Sequence, residues 1–265
     1  MLYKRVLSGL LFLPIFYLFT WKLPTAYFLG LVMGAAILGQ YEFYRMAEAR
    51  GIRPAAFLGS ALGALVVFDA YRPLVPAAGA FLLAACLLAV MVVRLFSSRP
   101  VEGAIEDVSA TFMGIVYVAL LFAFQVSIRM GSDGKQWLVF LYFIIWASDI
   151  GAYSIGIPFG KHRLYEKISP KKSIEGLLGA LVASAGMALL CQWWFLPSIK
   201  TSVVVGVALA LAAAGTIGDL VESLFKRAAG VKDSGTMIPG HGGILDRMDS
   251  MLFAAPVLYC YLSMR

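Results

Sequence analysis

Asp219, Glu222, Ser223 and Lys226 are separated by three, four and seven residues, a spacing that puts all four on one face of a helix. Asp246 and Asp249 repeat the spacing of three on either side of Arg247. Carboxylates gathered in this way repel one another. A hard divalent cation with oxygen ligands, such as magnesium, is one compensation; ion pairing with Lys226, Arg227, Lys232 and Arg247 is the other, and spacing leaves both open. Between the two acidic pairs runs Lys232-Asp233-Ser234-Gly235-Thr236-Met237-Ile238-Pro239-Gly240-His241-Gly242-Gly243. Its glycines let backbone amides approach a phosphate closely, and the flanking Lys and Arg side chains supply charge. The pattern is not a Walker loop, because Gly-x-x-x-x-Gly-Lys-Ser/Thr is absent. His241 reads either as a proton-transfer group or as a hydrogen-bonding loop residue.

Two further polar groups stand in apolar surroundings. Asp149 lies inside a hydrophobic stretch, among small residues that allow neighbouring helices to approach, so it reads equally as a helix-pairing residue and as part of a substrate site. The segment Ser169-Pro170-Lys171-Lys172-Ser173-Ile174-Glu175-Gly176 offers Ser173 as a helix N-cap and two lysines beside a helix start, which is either an anion site or simple topogenic charge. Glu42 and Asp69 fall at the ends of apolar stretches, where water or headgroups can solvate them, and carry no expected chemistry.

The elements that must hold these residues are membrane helices. Of the 265 residues 61% are hydrophobic and 14% charged, and the mean hydropathy is +0.84, outside the range of soluble domains. Nine apolar stretches read as spans, at roughly 6–21, 24–44, 54–70, 73–95, 109–128, 137–157, 174–197, 202–225 and 250–264. The expected fold is therefore an all-α polytopic integral membrane protein of about nine helices. The first stretch follows Lys4 and Arg5 without a small-residue cleavage site and is read as a retained helix. A cytoplasmic N-terminus puts 16 of the 22 Lys and Arg residues on the inner side, most densely in the loops 158–173 and 226–249. The net charge of +7 suits anionic headgroups or a phosphorylated substrate there, although topogenic charge accounts for the excess by itself. Cys86, Cys191 and Cys260 sit in apolar runs without ligand spacing and read as packing residues. Residues 1–136 form a set of N-terminal embedding helices, with candidate contacts for a homodimer, and 137–265 a catalytic membrane region.

The segment from Ser223 to Asp249 resembles the signature of the phosphatidate cytidylyltransferase family: Ser-x-x-Lys-Arg, four residues, Lys-Asp, a small residue, then His-Gly-Gly-x-x-Asp-Arg-x-Asp. Asp149-Ile150-Gly151-Ala152-Tyr153 resembles the family's Asp-x-Gly-Ala-Tyr. Ser169-Pro170-Lys171-Lys172 resembles its Ser-Pro-Lys-Lys-Thr-x-Glu-Gly loop, with Ser173 in place of threonine and Ile174 in place of a common tryptophan. The resemblance covers roughly residues 140–260 and leaves the N-terminal part as generic membrane helices.

This resemblance implies an enzyme of phospholipid synthesis that converts CTP and phosphatidate to CDP-diacylglycerol and pyrophosphate in the inner (cytoplasmic) membrane. It implies Asp219 and Asp246 as primary ligands of magnesium, Asp249 and Glu222 as further ones, and room for a second metal. Lys226, Arg227, Lys232, Arg247 and His241 become catalytic candidates. Ser223, Lys171, Lys172, Asp149, Gly242 and Gly243 become substrate-binding candidates. Membrane lipid is an expected partner and nucleic acid is not. The competing expectations are another metal-dependent membrane phosphotransferase and an ion-coupled transporter, for which intramembrane acids would mark an ion path.

Overall fold

The computed structural model describes residues 14–74, 79–235 and 242–265. Eight long helices follow in order: α1 (Thr25–Glu48), α2 (Ala56–Tyr71), α3 (Gly79–Leu95), α4 (Ala104–Met130), α5 (Gly134–Phe159), α6 (Ile174–Phe195), α7 (Thr201–Ala228) and α8 (Leu245–Ser263). Among the described residues, α1, α4, α5, α6 and α7 are long and apolar enough to cross a membrane, and α2 and α3 are shorter apolar helices. The all-α fold of a multi-pass membrane protein follows. The first half of the first expected span, at roughly 6–21, lies outside the described residues; a short π-helical turn, Leu18–Lys22, closes its described part.

One departure from a purely helical chain lies in the loop expected at 158–173. There β1 (Arg163–Tyr165) and β2 (Ser169–Ser173) form an antiparallel hairpin, irregular between its two paired positions, Arg163 with Ser173 and Tyr165 with Ser169. Pro170, which has no N–H to donate, is tolerated because a two-stranded hairpin consists only of edges.

Contacts divide the chain into two compact units: residues 1–130 with 228–247, and residues 131–227 with 248–265. In the first unit, α1, α2 and α4 pack around Tyr44, which is 1% exposed. A Cβ at Gly59 of α2 or Gly114 of α4 would collide with its ring, so both helices approach closely because glycine stands there. The Tyr44 hydroxyl donates to the Thr111 carbonyl at 2.9 Å, and α4 widens into a π-helical stretch, Gly114–Leu120, directly afterwards. At the ends of these helices the buried Asp107 accepts from Arg94 Nε at 3.0 Å and from the Arg53 amide at 2.7 Å. Arg94, one of the basic residues on the expected inner side, is thus also tied by its side chain to a buried acid.

In the second unit, α5 and α6 are in backbone contact. A Cβ at Gly179 would stand 2.7 Å from the Gly151 carbonyl oxygen, and one at Gly151 would strike Gly179 in turn. This is the close approach expected of the small residues after Asp149. α7 reaches α8 in the same way: a Cβ at Gly218 would lie 2.5 Å from the Asp249 carbonyl oxygen and 3.0 Å from Phe253 Cβ. Of the cysteines, Cys86 and Cys191 are buried as packing residues, whereas Cys260 is exposed.

Candidate functional site

The polar stripe expected on one helical face is present on α7. Ser223 Oγ donates to Asp219 Oδ1 at 3.4 Å, and Lys226 Nζ donates to Glu222 Oε2 at 2.7 Å. Glu222 is fully buried and the Lys226 side chain nearly so, so this pair is shielded from water. Asp219, one residue beyond the glycine contact with α8, is half-buried and forms an ion pair with Lys172 Nζ at 2.5 Å. Lys172 arrives on β2, so the hairpin delivers an ammonium group to the face that carries the acids. Asp219, Glu222 and Asp149 all lie within electrostatic reach of Asp249 of α8.

The hairpin is held by the start of α6. Ser173 Oγ accepts from the Gly176 amide at 3.1 Å, the N-cap read from the sequence. Glu175 accepts from the backbone amides of Lys161 and His162, and its Oε1 lies 2.6 Å from His162 Nδ1. The Ile174 amide donates to the His162 carbonyl at 2.9 Å. Lys161 and His162 are therefore stitched to the helix start, and the Lys171-Lys172 strand leads directly into it.

In the first unit, the residues around Asp246 form a second cluster. Asp246 Oδ2 accepts from the Ser234 amide at 2.9 Å, Ser234 Oγ at 3.0 Å and the Gly243 amide at 2.8 Å. Gly242 adopts φ +83°, a left-handed conformation that glycine favours, and a Cβ there would stand 2.6 Å from Asp246 Oδ2. These glycines thus fold the backbone tightly around a carboxylate.

Glu42 requires a correction. At a span end it was expected to be solvated and without chemistry; it is 2% exposed and sits inside this cluster. Its Oε1 accepts from the Ile244 amide at 2.9 Å, and its Oε2 accepts from the Leu245 amide at 2.9 Å and from Ser234 Oγ at 3.1 Å. Nothing local to Glu42 marks this role, because Ser234 lies 192 residues downstream. An acid near the end of an apolar stretch is normally solvated, and only the packing of α1 against the signature loop makes this one an internal acceptor. Asp69, by contrast, is half-buried at the end of α2 and accepts from the Leu74 amide at 2.8 Å.

The other candidate residues are placed as follows. Lys171, Arg227, Lys232 and Arg247 are exposed, as is Asp149 on α5. His241 lies outside the described residues. Among the described residues no three His, Cys, Asp or Glu side chains stand close enough together to hold a metal ion. In the second unit, Asp149, Asp219 and Glu222 lie within electrostatic reach of Asp249, and Lys172 pairs with Asp219 and Lys226 with Glu222; in the first, Ser234, Gly242, Gly243 and Asp246 come together with Glu42.

The chain is similar to several curated proteins. Relatives include the phosphatidate cytidylyltransferases of Staphylococcus aureus (strain COL), 43% identical, of Staphylococcus epidermidis (strain ATCC 12228 / FDA PCI 1200), 41% identical, and of Staphylococcus haemolyticus (strain JCSC1435), 40% identical. Each aligns over 152 residues, 57% of this chain and 58% of the relative, so the match spans less than two thirds of the relatives' length. The profile of the cytidylyltransferase family reaches further and matches residues 3–265, taking in the N-terminal helices that motifs left as generic membrane spans. On that match along almost the whole length, the chain belongs to the cytidylyltransferase family.

Proposed function

We propose that this protein is a phosphatidate cytidylyltransferase, which joins CTP and phosphatidate into CDP-diacylglycerol and pyrophosphate. The observation that carries the reading is the family match from residue 3 to residue 265, together with the shared name of the relatives. It favours this reaction over another phosphotransferase or a transporter.

In the proposed reaction an oxygen of the phosphatidate phosphate attacks the α-phosphorus of CTP. The bond between the α- and β-phosphates breaks, and pyrophosphate leaves with the electron pair. A phosphate monoester is already ionised near neutral pH, so no base need remove a proton from the nucleophile, and His241 is not required in that role. What such a transfer needs is positioning and neutralisation of oxygen charge. Lys172 is an ammonium group set beside the half-buried Asp219, where it would orient phosphate oxygens, and Lys226, nearly buried against Glu222, would act on them through its charge. The exposed Lys171, Arg227, Lys232 and Arg247 would contact the triphosphate or the lipid phosphate, and Ser223, Gly242 and Gly243 would supply further donors.

Magnesium belongs to the same proposal. Asp219 and Asp246 are the proposed primary ligands, with Asp249 and Glu222 as further candidates and a second ion beside the first. Each of these carboxylates is an oxygen donor of the class a hard cation takes. Magnesium usually takes only one or two carboxylates and completes its shell with water and substrate phosphates, which fits described residues that gather no three such side chains. When bound, such an ion supplies charge neutralisation on phosphate oxygens. We place the protein in the inner (cytoplasmic) membrane with its site facing the cytoplasm, where soluble CTP is available and phosphatidate enters from the leaflet. Homodimer contacts are assigned to the N-terminal helices, where Phe57 and Phe81 face outward.

The test is direct. Purified protein in detergent is supplied with α-labelled CTP, phosphatidate and magnesium. Label should enter the organic phase as CDP-diacylglycerol with one pyrophosphate released per lipid formed. Folded protein that leaves all label in the aqueous phase would overturn the reading.

A further inference from the structure

Glu42 is a buried carboxylate outside every motif that points to the site, and its contacts say what it does. A buried carboxylate is costly unless hydrogen bonds replace its water. Here three donors do so: the Ile244 amide, the Leu245 amide and Ser234 Oγ, at 2.9, 2.9 and 3.1 Å. The two amides are consecutive and lie where α8 begins, among the donors that a helix cannot satisfy internally. Glu42 therefore caps α8 from another helix, α1, with the charge favoured at a helix N-terminus.

The same carboxylate shapes the glycine loop. A Cβ at Gly243 would collide with Glu42 Oε2 and Ser234 Oγ, and one at Gly235 would stand 2.7 Å from Glu42 Oε1. The volume that side chains would fill at these two positions is taken by the acid. Ser234 has a single hydroxyl proton, and its oxygen stands 3.1 Å from Glu42 Oε2 and 3.0 Å from Asp246 Oδ2, so the two carboxylates share one donor. Glu42 thereby holds both the backbone immediately before Asp246 and the hydroxyl that Asp246 accepts from.

We propose that Glu42 is a positioning residue: it holds the two described ends of the signature loop, Ser234–Gly235 and Gly243–Leu245, setting the start of α8 and through it the orientation of Asp246. Its effect on catalysis rests on the cytidylyltransferase reading, in which Asp246 belongs to the site. Glu42→Gln is nearly isosteric but has only one accepting atom. Its NH2 group would confront one of the two amides or the hydroxyl, and the loop would have to move.

The experiment uses full-length wild-type, Glu42→Gln, Glu42→Asp and Ser234→Ala proteins in detergent, with steady-state kinetics and peptide-resolved hydrogen exchange. For Glu42→Gln we expect kcat to fall by at least about tenfold with KM for CTP changed by less than about threefold, the pattern of lost positioning. Amide exchange in residues 242–249 should accelerate by at least about tenfold while α5 and α6 are unchanged. Glu42→Asp, which keeps the acceptors, and Ser234→Ala, which removes one of three donors, should show the same pattern more weakly. A Glu42→Gln protein with kcat within about twofold of wild type, or with exchange accelerated equally along the whole chain, overturns the proposal. If the wild-type protein transfers no cytidylyl group, the functional reading falls and the exchange comparison alone decides whether Glu42 builds the loop.

Discussion

Lys226 and Glu222 show how one pair can be read twice. Their spacing of four marks an ion pair, but spacing does not say that Glu222 is fully buried and Lys226 only 11% exposed. Removing one partner of a buried pair typically costs about 3–5 kcal/mol, because the other charge stays behind. Lys226→Ala should therefore lower the thermal unfolding midpoint in detergent sharply, and adding Glu222→Gln should recover part of the loss. Asp219 is paired with Lys172 and is more open to solvent, so the expected consequence there is chemical. Asp219→Asn should reduce CTP incorporation into lipid by roughly 100-fold or more while leaving the unfolding midpoint close to wild type. Asp246→Asn should reduce incorporation to a similar extent, with a lower midpoint as well because Oδ2 accepts from two backbone amides and a hydroxyl, and near-normal incorporation by either folded variant would remove that residue from the site.

At the scale of elements, the helices were legible because apolar runs of about 20 residues have few other uses. The N-cap at Ser173 was legible too, because capping is a local hydrogen bond between near neighbours. Ser173→Ala should cost about 0.5–2 kcal/mol, read as a modest fall in midpoint. The hairpin Arg163–Ser173 was not legible, since short strands rich in Lys and Arg carry no apolar alternation. The α5–α6 contact supplies a sharper test through two glycines of α6. Gly179 faces the Gly151 backbone, whereas a Cβ at Gly186 would meet nothing within 4 Å. Gly179→Val should destabilise the protein by at least about 1–3 kcal/mol through overpacking, and Gly186→Val should be far milder. Equal midpoints for the two variants would contradict the backbone contact.

For the whole molecule, the distribution of basic residues predicts a topology that labelling can check. With exposed Cys260 replaced by Ser and the other two cysteines buried, single cysteines at Lys167 and Lys200 can be probed in sealed vesicles with a membrane-impermeant maleimide. Lys167→Cys should react only in inside-out vesicles and Lys200→Cys only in right-side-out ones; the reverse pattern would invert the proposed orientation. Chelation of divalent cations should abolish cytidylyl transfer, and magnesium should restore it. Retained activity in excess chelator would remove the cation from the mechanism.

By itself, the sequence determined that this is a multi-pass membrane protein of the all-α class with a polar stripe on one helix, and its spaced Lys, Asp and Gly residues identified the family. Those properties depend on local periodicity and on motifs within about 30 residues, which composition and spacing record directly. Tertiary structure alone decided that Lys172 pairs with Asp219, that α5 and α6 meet at Gly151 and Gly179, and that Glu42 belongs to the signature loop. Each is a contact between elements separated along the chain. A buried carboxylate and a solvated one are the same letter in the sequence, and only packing decides which of them loses its water and must find donors in the protein.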